Sequence, residues 1–317
     1  MKTFDEIYEE LQSGDNKELN QVWQEAQKEK NRAKKITTTI CLTIDILAII
    51  IFISRGVKLN SIFFIMPLLM PILVINLFVF VIVNIIFSKN TNEYNKKYKQ
   101  VVISKLMNNF YNNLEYFPNK EMPEYIYKKL QYEHYNKYSS DDYFEALINN
   151  QNSIQMAEVL TQEEETYRDS DGNTRTRTIT KFHGLFVKIE LDKSIDSDLK
   201  IWQNGTLFFG KRLKMDSSEF EKYFDVQASN QIIGMQLLTA DVMEELVYFV
   251  NKTNMKFDIY IKEKELYLRF HSGTMFEAYN LKKDALDKDL MQKYFYMLNF
   301  TYNLSSKLIK VINETQI

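Results

Sequence analysis

The chain is short of the residues from which metal and nucleophile sites are assembled. Its 317 residues include one cysteine, Cys41, and three histidines, His134, His183 and His271. A single cysteine excludes an intrachain disulfide framework and a cysteine metal cluster. The histidines are far apart, and none stands at the spacing that places two metal ligands on one helix face. Eight glycines and four prolines leave no long Pro/Gly linker. There is no phosphate loop, nucleophile elbow or zinc signature. Forty basic against 42 acidic residues give a formal charge of −2, without the basic footprint that nucleic-acid binding requires. The expectation is a protein with no catalytic motif, no cofactor, no metal and no nucleic-acid partner.

What the chain does have is two apolar runs, Ile36–Ser54 of 19 residues and Ser61–Phe87 of 27. A hydrocarbon core about 30 Å thick needs roughly 20 helical residues, so each is long enough to span. Only Arg55–Asn60 separates them, which predicts an antiparallel two-helix hairpin that returns to the side it entered from. Lys28, Lys30, Arg32, Lys34 and Lys35 precede the first run, and Lys89, Lys96, Lys97 and Lys99 follow the second. The connection holds only Arg55 and Lys58. This bias places both termini on the cytoplasmic side of the cell's inner membrane. A signal peptide is not expected, because 35 charged, helix-prone residues come before the first run.

The organisation predicted is a cytosolic helical arm over 1–35, a transmembrane hairpin over 36–87 (spans 36–54 and 61–87) and a cytosolic domain over 88–317. In the arm, Phe4, Ile7, Tyr8 and Leu11 follow helical spacing, as do Leu19, Val22, Trp23 and Ala26 after Ser13-Gly14-Asp15. Asn92–Tyr116 reads as a long helix broken by Phe117-Pro118-Asn119, and a second helix starts near Pro123 and reaches Tyr135. Ile154–Tyr167 and Thr174–Leu191 read as strands joined at Asp171-Gly172. Ser218 and Glu221 form a capping box, and Thr239 caps a helix striped by Val242, Met243, Leu246, Phe249 and Val250. Lys256–Lys262 and Leu266–His271 are strands turning at Glu263-Lys264-Glu265. A last helix runs from about Lys283 to Asn313. Helices and strands are segregated, which predicts α+β with antiparallel sheet.

Asp45 is the one acid inside a span, where an ionised carboxylate costs about 2.5–3.5 kcal/mol. Such a residue needs a partner, and Asn76 or Asn84 of the second run, or another protomer, can supply it. Asp45 shares a helix face with Thr38, Cys41 and Ala48, a small and polar stripe suited to close packing. Pro67 and Pro71 predict a bend in the second span. Elsewhere, Asp141-Asp142 after Ser139-Ser140 reads as a helix N-terminus favoured by acids. Glu163-Glu164-Glu165 alternate faces on a strand and pair across it with Arg175, Arg177 and Lys181. Gly184, beside His183, reads as a bulge.

Four stretches resemble a known family: Ser140-Asp141-Asp142-Tyr143-Phe144, Phe182-His183-Gly184-Leu185-Phe186, Phe220-Glu221-Lys222-Tyr223-Phe224-Asp225-Val226, and Leu237-Leu238-Thr239 leading to Met243. With the hairpin ahead of them, they are similar to the bacterial membrane proteins grouped as domain of unknown function 3137. The family pattern has an Arg and a Pro where this chain has Met235 and Ala240. The resemblance implies membrane anchoring and a cytosolic globular domain, and supplies no reaction. The function expected is therefore a non-enzymatic scaffold or sensor that binds a protein or small ligand and self-associates through its spans in the lipid bilayer. The alternative is an oligomeric pore or transport component that uses Asp45.

Overall fold

The structure is a computed structural model that describes residues 1–14, 17–54, 62–203, 211–278 and 284–314, with the side chains of residues 52–53 and 62–69 left aside. The expected connection Arg55–Asn60, Ser61, Asp15 and Lys283 lie outside the described residues. The first helices are α1 (Phe4–Ser13), α2 (Lys17–Ser54), α3 (Ile62–Phe87) and α4 (Lys89–Tyr98), followed by a π-helical turn over Lys99–Ile103 and α5 (Ser104–Asn108). Then come β1 (Asn112–Phe117), α6 (Glu124–Lys128), β2 (Lys137–Ile148), β3 (Asn152–Arg168) and β4 (Thr174–Gln203). The chain continues through α7 (Ser218–Tyr223), β5 (Phe224–Ala228), α8 (Gln231–Leu237), α9 (Ala240–Thr253), β6 (Phe257–Phe270) and α10 (Lys288–Glu314). It divides into a helical unit (Tyr8–Val101 with Ala278–Lys288) and a sheet unit (Met1–Ile7, Val102–Glu277 and Asp289–Ile317).

In the helical unit α2 is unbroken from the charged arm into the first apolar run, so residue 35 marks a change of composition and not of structure. Its inner part buries Leu19, Ala26 and Ala33, while α4 buries Tyr94 and Tyr98. Lys97 Nζ meets Glu18 Oε1 at 2.6 Å, and the Tyr94 hydroxyl donates to Ala285 O at 3.0 Å. Beyond this the pattern inverts. Ile46, Ile50, Leu73, Phe78 and Ile85 are all more than half exposed. Among the described residues one helical segment, Met70–Phe87, is long and apolar enough to cross a membrane, and almost none of it is buried. The first apolar run, Ile36–Ser54, is not wholly among the described residues, since the side chains of 52–53 are left aside. The hydroxyls of Thr38, Thr39 and Thr43 each donate to the carbonyl four residues back, at 2.8–2.9 Å, which satisfies them within the helix.

The sheet unit is α+β, as expected. Its strands run in the order β1-β2-β3-β4-β5, with β6 also on β4, and every pairing is antiparallel. β2 and β3 join at Asn149 and Asn150, both with positive φ (55° and 59°), the conformation of a tight hairpin turn. β3 and β4 join at Gly172, with φ 82°. β6 turns back on itself. Asp258 and Arg269 would lie about 36 Å apart on a straight strand, yet their side chains meet at 2.9 Å, and His271 N donates to Lys256 O. The turn sits at Glu263, φ 52°, within the predicted Glu263-Lys264-Glu265. Both arms pair antiparallel with β4, so β4 must itself turn between Glu190 and Ile195, where the register shifts.

One face of this sheet carries Leu185, Val187, Ile189, Leu268 and Phe270, all fully buried. Phe249 of α9 and Phe300 of α10 stack at 3.7 Å and meet Phe257 and Phe270 edge-on, closing an aromatic core. The other face carries Phe182, Phe186, Tyr260 and Tyr267 beneath Met122, Ile126, Tyr127 and Leu130.

Three elements differ from expectation. Asn112–Tyr116 is strand, not the end of a helix, because β1 pairs with β2 from Asn112 to Phe117. The second helix stops at Lys128 and does not reach Tyr135. The cap of α7 is Ser217, whose Oγ accepts from Phe220 N at 3.2 Å, and Glu221 accepts from Met215 N; the box is displaced by one residue.

Candidate functional site

In the helical unit, Asn76 Nδ2 donates to Asp45 Oδ1 at 3.0 Å. The bond joins α2 to α3 where both helices are otherwise apolar. Asn76 Oδ1 is buried with no hydrogen-bond partner. Asn84 is not part of this pair, since its Nδ2 donates to Phe80 O of its own helix at 2.7 Å. The structure therefore brings together two of the three polar residues singled out in the apolar runs.

In the sheet unit, Asp141, Asp142 and Glu158 offer carboxylate oxygens within 4.8 Å of one another. Among the described residues they are a group that could hold a metal ion, where the sequence predicts no metal and a helix N-terminus at Asp141-Asp142. Asp141 and Asp142 are not at a helix N-terminus. They lie in β2 at a bulge between Asp141 and Phe144, with Asp142 at φ 51° and fully buried. The cause is long-range: β3 and β1 hold this segment extended, overriding its local capping pattern. The Tyr116 hydroxyl donates to Asp142, and burial next to that carboxylate pushes the Tyr116 phenol up. Glu158 accepts from Met275 N at 2.6 Å and faces His183 Nε2 at 3.2 Å. Burial raises Glu158 above the usual carboxylate range, and the Met275 amide only partly offsets this. Partners thus stand on one oxygen of Asp142 and on both oxygens of Glu158.

Gly184 marks a close approach and not the bulge. A Cβ there would stand 1.9 Å from Phe270 O. The bulge is at Lys181, the residue skipped where Thr161 pairs with Phe182 and Gln162 with Thr180. Lys181 pairs with Glu163 and Arg177 with Glu165, as predicted, while Arg175 pairs with Asp169. Such exposed pairs are worth little.

The third cluster lies on the tyrosine-rich face. Arg269, 6% exposed, donates to Glu133 Oε2 at 2.6 Å, Asp258 Oδ2 at 2.9 Å and the Tyr127 hydroxyl at 3.0 Å. Its guanidinium lies over the Tyr132 ring at 4.1 Å and the Phe182 ring at 4.9 Å. Burial raises Asp258, but the hydrogen bond from His271 and the charge of Arg269 outweigh it, so the net shift is below the usual carboxylate range. Beside this network a concavity of about 410 Å³ is lined by Tyr127, Lys128 and the segment Gln131 to Tyr135. The Tyr132 hydroxyl is buried and has no hydrogen-bond partner. This cluster was missed in the sequence. Alternation places Asp258 and Tyr260 on one face of their strand, and Tyr267, Arg269 and His271 on one face of theirs, but the register of the turn between them decides that the two faces coincide. Nothing local points to Glu133, 136 residues from Arg269.

No curated protein matches this chain. The crystal structure of the mycobacterial trehalose monomycolate transport factor A, TtfA, aligns with a TM-score of 0.35 and 7% identity, over 67% of this chain and 94% of that one. Residues 180–310 match the family described as protein of unknown function, DUF3137. The matched span contains the Phe182–Phe186, Phe220–Val226 and Leu237–Thr239 stretches, and leaves Ser140–Phe144 outside it. Over residues 180–310 the chain thus carries the DUF3137 match that its sequence resemblance implied.

Proposed function

We propose that the chain is a membrane-anchored scaffold or sensor. In this reading α2 and α3 cross the inner membrane as a hairpin, both termini are cytosolic, and the sheet unit binds a protein or small ligand. The observation that carries it is the exposed apolar surface of the hairpin, with Leu73 and Leu77 each 62% exposed and Ile85 67% exposed. A contiguous apolar surface of this extent calls for a bilayer or a partner to cover it. The Asp45–Asn76 bond supports helix packing within the bilayer, and the basic residues flanking the hairpin support the orientation. The concavity beside Arg269, with its unpartnered Tyr132 hydroxyl, is the place for a ligand in the sheet unit.

The test is alkaline carbonate washing of membranes holding the full chain, followed by protease treatment of inverted vesicles. Retention in the membrane with digestion of residues 88–317 is expected. Release by carbonate, or a protected sheet unit, overturns the anchoring or the orientation respectively. Recovery of a stoichiometric partner with the tagged full chain in mild detergent is expected of a scaffold, and recovery of the chain alone argues against one. Oxidative crosslinking through Cys41 tests self-association: a disulfide-linked dimer is expected, and monomer alone counts against association through this face of α2.

A further inference from the structure

Between α2 and α3, where the apolar runs begin and end, lies a groove of about 490 Å³. From α2 it is lined by Gln27, Lys30, Asn31, Lys34, Thr37 and Thr38, and from α3 by Phe80 and Asn84. The helical repeat explains the gathering: 27, 30, 31, 34, 37 and 38 recur at three- and four-residue steps on one face of α2. Asn76, Phe80 and Asn84 do the same on α3. The antiparallel register set by Asp45 and Asn76 brings Asn84 level with Thr37, eight residues along each helix.

The groove has two chemically distinct ends. Lys30 and Lys34 are one turn apart and take part in no ion pair among the described residues, whereas neighbouring Arg32 is paired with Glu29. Asn31 and the Thr37 hydroxyl lie beside them. Toward the hairpin tip the wall becomes the half-exposed Phe80 ring, continuous with the apolar surface of α3. Two unpaired ammonium groups over polar donors, opening onto an apolar wall, match a phosphodiester that carries acyl chains. They do not match a free inorganic anion, which would have no use for the apolar side.

We infer that this groove binds the headgroup of an anionic phospholipid, with Lys30 and Lys34 on the phosphate and an acyl chain against Phe80. The inference rests on the proposed membrane hairpin. Basic pockets between spans on the cytoplasmic side suit such headgroups, and each lysine near an anionic surface contributes about 1 kcal/mol. Substituting both lysines therefore weakens the lipid by roughly thirtyfold.

The experiment is native mass spectrometry of the full chain in mild detergent, titrated with phosphatidylglycerol or phosphatidylcholine. Selective retention of phosphatidylglycerol is expected, falling about thirtyfold toward the phosphatidylcholine level in Lys30→Gln/Lys34→Gln. The control Lys28→Gln/Lys35→Gln removes the same charge from the same helix but not from the groove, and should retain the lipid. Equal loss in both variants would mean diffuse electrostatics and overturn the site, as would retention without headgroup preference. Release of the chain by alkaline carbonate overturns the membrane hairpin as well, so failure of the groove and failure of the hairpin give different results.

Discussion

Replacing Arg269 with methionine tests whether the buried network on the tyrosine face organises the sheet unit. The guanidinium donates to Glu133, Asp258 and Tyr127 within 2.6–3.0 Å, and the side chains of Glu133 and Asp258 are only 15% and 14% exposed. Methionine keeps most of the packing against Tyr132 and Phe182 but leaves two buried carboxylates without their cation. Removing one partner of such a pair costs about 3–5 kcal/mol, most of it the uncompensated charge left behind. For a unit of this size that corresponds to a fall in melting temperature of about 10 °C, measured on the full chain in detergent by near-ultraviolet circular dichroism. The pH dependence separates this mechanism from simple loss of packing. In the wild type the folded-state pKa of Asp258 lies below its unfolded value, so its contribution is present above the unfolded pKa and is lost as pH falls through the folded one. In the variant Asp258 is buried without Arg269, and protonation relieves it. The gap between the two proteins is therefore largest at pH 7 and narrows toward pH 4. Arg269→Lys should fall between them, since it keeps the charge and loses the fork. A loss under about 1 kcal/mol at pH 7 would refute the reasoning, and so would a gap that does not change with pH.

Other outcomes follow from single features. Gly184→Ala drives a Cβ to 1.9 Å from Phe270 O and 2.7 Å from Ser272 N; both are backbone, so β4 and β6 must separate, at about 3 kcal/mol. An unchanged melting curve would show that the strands can shift freely. Glu158→Gln removes a carboxylate whose folded pKa is raised, so its charged form disfavours folding once pH rises through that value. The variant should gain stability relative to wild type at pH 7 and lose the advantage near pH 4, and a pH-independent difference would count against the assignment. Asn76→Leu strands Asp45 between apolar helices and should weaken the hairpin by about 1 kcal/mol. Asp45→Leu/Asn76→Leu should recover most of that loss in detergent melts, and additive losses would mean that the two residues are not coupled.

Much of the architecture is legible from local pattern. Asp171-Gly172, Glu263-Lys264-Glu265 and the apolar stripe after Thr239 each specify their element within a few residues, because turn conformation and helix periodicity are local properties. The errors fall where distant strands decide. Asn112–Tyr116 has helix-compatible spacing and becomes an edge strand because β2 pairs with it. Ser139–Asp142 looks like a cap and becomes a bulged strand against β3. Gly184 carries a signal, but its cause is a backbone 86 positions later, at Phe270.

The candidate sites divide in the same way. Asp45 stands out in the sequence because an acid in an apolar run is costly wherever its partner lies, and the lysines ahead of the run are visible as a charge bias. By themselves the residues determined the two apolar runs and the mixed helix and antiparallel-sheet class of the domain that follows. Only the tertiary structure decided that Asp45 meets Asn76 and not Asn84, that two of five basic residues before the first run line a groove, and that Arg269 sits between Glu133 and Asp258. Those choices depend on helix register and strand order, which are set by the burial of whole faces and leave no mark on any short stretch of chain.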